Sequence, residues 1–149
     1  MIALKNYDGD VLSDELAGCH ASLGMMDSTL INEDGSLLLA DPPHGTAPDL
    51  EEAFHSEGKL LANPSAYIFA YAEAIAHKGR LHDSPQLIER AELIKRSVAT
   101  AIENGYKTGD LVEDGEKPKT AQELVHAVAF YVEQELRCAP GARADFDQS

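Results

Sequence analysis

The chain has 149 residues, of which 44% are apolar and 26% charged, and this composition suits one soluble globular domain with its own core. The net charge of −14 argues against nucleic acid and against anionic membrane surfaces as partners, because both bind basic surfaces. The two cysteines, Cys19 and Cys138, show no CxxC spacing, and no signal peptide or apolar run of roughly 20 residues is visible. We therefore expect a cytoplasmic protein in a reducing compartment.

The N-terminal segment is predicted to hold a short strand and then a helix. Residues 1–4 fit a strand, and residues 9–22 fit a helix because their apolar side chains recur at helical spacing. Asp10 and Asp14 are four apart, so on a helix they share one face and their carboxylates could hold one hard divalent cation. The alternative is a solvated acidic helix start that the helix macrodipole favours.

Two strands joined by a tight turn are predicted next. Residues 27–31 and 36–40 have the apolar and β-branched character of strands, and Asn32-Glu33-Asp34-Gly35 between them is a hairpin-type turn. The continuous apolar run over residues 37–40 predicts that the second strand is buried.

The second predicted strand is followed by a loop of prolines and small residues, residues 41–50. Ligands of open α/β sheets bind at the carboxyl ends of strands, and the small residues at positions 45–47 would let a ligand lie against the backbone. Asp49 adds an acceptor-only group, which suits a ribose diol and repels a phosphate. The alternative is a proline-rich loop in which His44 has a structural role.

The rest of the chain is predicted to be mostly helical, with boundaries set by prolines, capping residues and glycines. These signals predict a short helix or loop over residues 51–59, ended by Gly58, and a helix from Pro64 to about residue 77, stopped by Gly79. A second long helix is predicted from Pro85 to about residue 104, with Ser84 as N-cap and Gly105 after it, followed by a short extended piece over residues 106–111. The last helix is predicted to begin at the capping box Thr120-Ala121-Gln122-Glu123 and to end at about residue 136. Residues 1–137 are expected to form one domain, and residues 138–149 a disordered tail.

Several segments match the motifs of one enzyme family. His44-Gly45-Thr46-Ala47-Pro48-Asp49 and Ala62-Asn63-Pro64 resemble the nucleotide-binding segments of the β-decarboxylating dehydrogenases, which act on isocitrate, isopropylmalate or homoisocitrate. Residues 5–14 with Ser22-Leu23-Gly24-Met25-Met26 resemble the eukaryotic-type isocitrate dehydrogenases, and Thr108-Gly109-Asp110-Leu111 resembles the family's Thr-x-Asp-Leu. The resemblance implies an α/β fold, here the C-terminal portion of the family's fold, with a small mixed sheet flanked by helices.

The resemblance also implies a dinucleotide site and part of a metal site. The family's loop after the strand lines adenosine and pyrophosphate, and its asparagine contacts adenine. The residues that match these cofactor-binding positions are Asp41, His44, Gly45, Thr46, Ala47, Pro48, Asp49, Leu50 and Asn63. The family's aspartates that match Asp10 and Asp14 bind Mg²⁺ or Mn²⁺ with the substrate, and a third aspartate comes from the neighbouring subunit.

The end of the loop favours NAD over NADP. The segment resembles that of the family's NADP forms except for a basic residue. Those forms carry lysine at the position of Asp49, or Arg-His shortly after His-Gly-Thr, whereas this chain has Asp49 and Leu50 there. A carboxylate would repel the 2′-phosphate and accept from the 2′-hydroxyl, so NAD is expected. Residues 5–14 indicate the opposite, because they resemble a subgroup that mostly uses NADP. Asp41 also departs from the family, which usually has glutamate there.

The groups that the family needs for catalysis are not recognisable here. Family members are longer, and they use an upstream Ser/Asn/Arg cluster, a tyrosine and a lysine for substrate binding and proton transfer. Neither a nucleophile motif nor GxGxxG or GxxxxGK[ST] replaces these groups. The expected function is the C-terminal portion of an NAD-type isocitrate dehydrogenase, which acts on its 2-hydroxy acid with an N-terminal half or as a homo-oligomer. A non-catalytic nucleotide-binding, regulatory or interaction module is the alternative.

Overall fold

The structure is a computed structural model that describes residues 5–19, 25–43 and 48–138. The elements in these ranges are the helices α1 (Asn6–Cys19), α2 (Pro48–Glu57), α3 (Ser65–Leu81), α4 (Pro85–Glu103) and α5 (Ala121–Cys138) and the strands β1 (Ser28–Ile31) and β2 (Leu38–Asp41). None of the helices in the described ranges is long and apolar enough to cross a membrane.

Helices α3 and α4 form a hairpin that is packed through small residues. The buried side chains at this contact are Ala72, Ala76 and Ala91. A Cβ on Gly79 of α3 would lie only 2.8 Å from Ile88 Cγ1 and 3.1 Å from the Ile88 backbone nitrogen. The prediction that Gly79 stops the helix was wrong, because α3 continues past it and the glycine instead permits close approach to α4.

The larger hydrophobic core lies where α4 meets α5. Its buried residues are Val98, Ala101, Leu124, Ala127 and Val128. Partly buried side chains of α3, among them Ile68 and Phe69, pack against this core. Three helices therefore share one apolar interior, and they form the body on which the candidate site lies.

The helix starts follow the capping signals of the sequence. The Thr120 hydroxyl accepts a hydrogen bond from the Glu123 N–H at 3.2 Å, and the Glu123 carboxylate accepts one from the Thr120 N–H at 2.8 Å. Hydrogen bonds from Thr120 hold the pKa of the Glu123 carboxyl below its ordinary value. The predicted capping box is therefore confirmed. Ser84 does occupy the N-cap position of α4 before Pro85, in an extended conformation, but its side chain makes no capping hydrogen bond.

Strands β1 and β2 form a two-stranded antiparallel ribbon. Asn32 holds the turn, since its Oδ1 accepts from the Leu37 N–H at 2.8 Å and its carbonyl accepts from the Gly35 N–H at 3.0 Å. Gly35 has a φ of 74°, in the left-handed region that favours glycine. The predicted hairpin is confirmed, whereas within residues 5–19, 25–43 and 48–138 the strands pair only antiparallel and form no mixed sheet.

The second strand is less buried than its apolar sequence predicts. Leu30 and Leu39 face each other across the ribbon and are 65% and 58% exposed. Leu38 and Ala40 are half-buried, and β2 packs against α3. The prediction of a buried strand was wrong, because strand alternation turns one side of β2 towards α3, where it is only half-buried, and the other side towards solvent.

The ends of several helices differ from their predicted positions. Helix α1, Asn6–Cys19, begins three residues before the predicted start at residue 9, and residues 20–22 of the predicted helix lie outside the described residues. Helix α2 covers Pro48–Glu57, so the last three residues of the predicted loop are helical, and Gly58 follows the helix with a φ of 69°. Prolines and capping signals place helices well, but they locate individual end residues only approximately.

Residues 109–111, the second half of the predicted extended piece, form a turn. The Leu111 N–H donates to the Thr108 carbonyl at 2.9 Å, which closes this turn. The predicted strand over residues 1–4 and residues 139–149 of the predicted tail lie outside the described residues. Cys138 is exposed and is the last residue of α5.

Candidate functional site

The two aspartates predicted to bind metal lie on one helix. Positions 10 and 14 are both in α1 and are separated by about one helical turn. This backbone placement suits two carboxylates that share a divalent cation, but the side chains of Asp10 and Asp14 are not among those described, so the metal site stays a prediction. Where side chains are described, no three His, Cys, Asp or Glu residues come together as metal ligands.

The predicted nucleotide loop, residues 41–50, begins at the end of β2 and ends in the first turn of α2. Asp41 is exposed at the last position of β2, and the chain enters α2 at Pro48. His44, Gly45, Thr46 and Ala47 fall between the described ranges, so their expected contacts with a nucleotide stay predictions. The structure thus places the loop between the end of a strand and the start of a helix, as the sequence predicts.

The end of this loop is the first turn of α2. Pro48, Asp49 and Leu50 are all exposed there, and Asp49 and Glu51 are the acidic residues of the turn. Carboxylates are favourable near a helix N-terminus because the macrodipole is positive at that end. Asp49 therefore has a structural explanation that is independent of any cofactor.

Asn63 is held in one orientation just before α3. Its Oδ1 accepts from the Ser65 N–H at 3.0 Å, and its Nδ2 donates to Asp110 Oδ2 at 2.9 Å. The other carboxylate oxygen of Asp110 accepts from the hydroxyl of Thr108 at 2.6 Å, and Thr108 is fully buried. Asn63, predicted from sequence, is thus joined to Asp110 and Thr108, for which the sequence indicated no role.

Backbone contacts hold the two segments side by side. The Leu60 carbonyl accepts from the Ala121 N–H at 2.8 Å, where α5 begins. A Cβ on Gly109 would have the Leu61 carbonyl oxygen at 3.9 Å as its only neighbour within 4 Å. The connector before α3 therefore runs beside residues 109–110 and the start of α5.

Contacts of Lys107 hold the loop that carries Asp110, between α4 and α5. Lys107 Nζ lies 3.1 Å from Glu116 Oε2, and the Lys107 carbonyl accepts from the Lys119 N–H at 2.7 Å. The hydrogen bond from the Glu113 N–H, followed by that from Lys107, lowers the pKa of the Glu116 carboxyl. These bonds give Asp110 a fixed position relative to α5.

The signal for Asp110 was present in the sequence but could not be interpreted. Thr108-Gly109-Asp110-Leu111 matches a family motif, yet Asp110 lies 47 residues from Asn63 along the chain. Sequence spacing does not reveal a contact over that separation. The fold brings the two together because α3 and α4 form a hairpin and the chain returns to the start of α3.

Curated relatives of the chain are isocitrate dehydrogenases. It is 34% identical over 137 residues to isocitrate dehydrogenase [NADP] 1 of Mycobacterium tuberculosis, and 34% identical over 141 residues to the cytosolic isocitrate dehydrogenase [NADP] of Arabidopsis thaliana. Each match covers 90% of this chain and 34% of the relative, so the chain spans about a third of the relatives' length.

A solved structure gives the same assignment. The crystal structure of isocitrate dehydrogenase from Methylococcus capsulatus matches with a TM-score of 0.67 and 33% identity, over 85% of this chain and 32% of that one. The expected fold class, α/β and corresponding to a portion of the isocitrate dehydrogenase fold, is confirmed.

The expectation of NAD as cofactor was wrong. The relatives are named as NADP enzymes, including a third from Sphingobium yanoikuyae that is 33% identical. The expectation depended on repulsion between Asp49 and a 2′-phosphate, but Asp49 is exposed in the first turn of α2, where solvent screens its charge and the macrodipole offsets it. A single carboxylate in that position does not decide between the two cofactors.

The match extends along most of the chain. A family model described as isocitrate/isopropylmalate dehydrogenase matches residues 1–128, which include the positions of the candidate metal and nucleotide residues. The chain therefore belongs to the isocitrate/isopropylmalate dehydrogenase family.

Proposed function

We propose that this chain carries the adenosine-binding side of the cofactor site, and two metal-binding carboxylates, of an NADP-dependent isocitrate dehydrogenase. The observation that supports this proposal most directly is the 2.9 Å hydrogen bond between Asn63 and Asp110. It joins two family-like segments, residues 62–64 and 108–111, into one surface beside the start of α3. The names of the relatives supply the cofactor and the substrate class.

The residues of the chain have distinct parts in this proposal. The loop from Asp41 to Leu50 lines the adenosine and pyrophosphate, and Asn63 contacts the base. Asp10 and Asp14 offer hard oxygen donors one helical turn apart, and such donors fit Mg²⁺ or Mn²⁺. A cation bound there would act as a Lewis acid on the oxygen atoms of the substrate.

Turnover is proposed to require a second, substrate-binding part. The family grips the substrate carboxylates and transfers protons with groups that are not recognisable in this chain. An N-terminal dehydrogenase half, in a separate polypeptide or in the rest of a longer one, would supply them, and the assembled enzyme would contain two copies. A nucleotide-binding module without catalysis is the second candidate.

The nucleotide site is tested by calorimetric titration of the purified chain with NADP and with NAD, in the presence and absence of Mg²⁺. We expect NADP to bind with a Kd of about 1 mM or tighter. Asn63→Ala should weaken this binding about tenfold, because one base contact and the orientation of Asp110 are lost. Asn104→Ala, at the end of α4, is the matched control and should leave the affinity unchanged. A chain that binds no NADP would contradict the proposal.

The dependence on a second part is tested by an isocitrate oxidation assay at 340 nm. The chain alone should be inactive, and mixing it with the remaining N-terminal part of the M. tuberculosis relative should restore NADPH formation. Activity of the chain alone would mean that it contains its own catalytic groups. NADP binding without activity in the mixture would favour the non-catalytic module.

A further inference from the structure

One face of the β1–β2 ribbon carries three exposed leucines. Leu30 and Leu39 are opposite each other in the register, and Leu37 precedes Leu39 by two residues, so strand alternation places all three on the same side. Their exposed fractions are 65%, 58% and 70% in that order. The other side of β2, with Leu38 and Ala40, is half-buried towards α3. Leu30, Leu37 and Leu39 therefore form an apolar patch away from α3, which we call the outer face.

The outer edge of β1 has backbone groups available for a further strand. The Asn32 N–H donates to the Leu37 carbonyl at 3.2 Å, which makes these two residues a hydrogen-bonded pair. Such pairs alternate along an antiparallel ladder, so the N–H and C=O groups of Thr29 and Ile31 point away from β2. The sheet in the described part of the chain has only two strands, and an edge of this kind can pair with a strand from another segment.

The confirmed fold class explains what such a ribbon lacks. In α/β folds, a sheet is covered by helices on both of its faces. Among the described elements, α3 packs against one side of this ribbon. The chain also spans only 34% of the length of its relatives, so about two thirds of their fold lies outside it. That larger part is the natural source of the second layer.

The charge around the outer face disfavours a second copy of this chain as the occupant. The exposed acidic residues Asp27, Glu33, Asp34 and Asp41 lie before β1, in the turn and at the end of β2. Two copies that met through this face would bring these carboxylates together, in a chain whose net charge is −14. A partner with an apolar patch and a rim of lysine or arginine fits the outer face better.

We infer that the outer face and the free edge of β1 bind the N-terminal part of the dehydrogenase fold, which adds a strand at the edge and apolar side chains over the three leucines. This inference rests on the proposed need for a second part, and it specifies where on this chain that part binds. Because β2 ends at Asp41, where the nucleotide loop begins, the same contact would hold the strand from which the loop starts.

The first test is co-expression of the chain with a tagged N-terminal part of the M. tuberculosis relative, followed by purification on the tag. Leu39→Glu should reduce the recovered chain at least about tenfold, because the interface would bury an unpaired carboxylate. Leu81→Glu makes the same change at a leucine that is 48% exposed at the end of α3, and it should be recovered like the wild type. In the complex, amide exchange at Thr29 and Ile31 should slow at least about tenfold.

A second measurement does not depend on how well the N-terminal part folds alone. The two parts are joined in one polypeptide and unfolded with urea. Leu39→Glu should lower the urea midpoint of the joined protein by about 1 M and leave that of the chain alone nearly unchanged. Leu81→Glu should have the same small effect in both proteins.

The outcomes separate this inference from the functions proposed above. Equal recovery of Leu39→Glu and wild type, or equal midpoints in the joined protein, would refute the outer face as the binding surface. A wild-type chain that elutes as a dimer, with Leu39→Glu as a monomer, would assign the face to a second copy and overturn the inference. The titration of the chain alone with NADP needs no partner, so the nucleotide site stands or falls independently of these results.

Discussion

Gly79 of α3 lies against Ile88 of α4, so that a Cβ on the glycine would come within 2.8 Å of Ile88 Cγ1 and 3.1 Å of the Ile88 backbone nitrogen. Distances below 3.4 Å require the neighbour to move, and a backbone nitrogen in the first turns of a packed helix moves less readily than a side-chain end. The Leu87 Cβ, at 3.1 Å, is a further rigid obstacle. The turn end of the α3–α4 hairpin therefore depends on a missing side chain.

Gly79→Ala is predicted to destabilise the chain. In an exposed helix interior, this exchange would stabilise by about 1 kcal/mol through helix propensity. Here the added methyl group overpacks the contact, at a cost of about 1–3 kcal/mol, and we expect the steric cost to exceed the gain. The measurement is urea unfolding. Gly109→Ala is the matched control, since its Cβ would have an ordinary 3.9 Å contact, and it should cause no loss. A stabilised Gly79→Ala variant would mean that the helices are farther apart.

Glu73 of α3 provides a second prediction, on pH dependence. Its carboxylate forms an ion pair with Arg80 and another with Lys95 of α4, at 2.9 Å. Burial alone would raise the pKa of Glu73, but hydrogen bonds from Lys95 and Arg80 outweigh it and lower the pKa below the ordinary 4.5. A carboxyl group with a lowered pKa binds protons less readily in the folded state than in the unfolded state. Its contribution is therefore present above pH 4.5 and is lost as the pH falls through the folded value.

Glu73→Gln should lower the free energy of unfolding at pH 7 by about 1–2 kcal/mol, because it removes a partly buried charge with two cationic partners. The difference from wild type should shrink as the pH falls below 4.5. Urea unfolding from pH 7 to pH 3.5 measures both effects. Glu89→Gln, at an exposed position of α4, should show neither. A difference that is constant over this range would mean that the charge of Glu73 does not stabilise the fold.

Local signals in the sequence were sufficient for the helix starts and for the hairpin. The Thr120–Glu123 box and the turn at Gly35 each depend on residues a few positions apart, so composition and spacing describe them well. These predictions succeed because the interactions that decide them are contained in a short stretch of chain.

Contacts between distant segments could not be predicted in this way. Glycine can end a helix or permit close packing, and only the position of Ile88 decides which applies to Gly79. The Asn63–Asp110 bond likewise depends on the path of the chain through α3 and α4. The cofactor was predicted wrongly for a similar reason, because the charge of Asp49 was judged without its position in α2.

The ribbon of β1 and β2 yields the third prediction, because apolar sequence and burial disagree there. Leu39 is 58% exposed, whereas Leu124 in the α4–α5 core is fully buried. Leu39→Thr should change the free energy of unfolding by less than about 0.5 kcal/mol, since little apolar surface is lost from the interior and threonine suits a strand. Leu124→Ala should cost about 2–5 kcal/mol, through the lost transfer energy and the cavity.

Urea unfolding of both variants and size-exclusion chromatography of the wild-type chain show whether the exposed face of the ribbon is covered in solution. If Leu39→Thr proves as costly as Leu124→Ala, the ribbon face must be covered in solution, and the wild-type chain should then elute as an oligomer. If Leu39→Thr is neutral and the chain elutes as a monomer, the Leu30–Leu39 face is open to solvent. Because the net charge of −14 opposes close approach of two copies, we expect the second result at low ionic strength, where this repulsion is least screened.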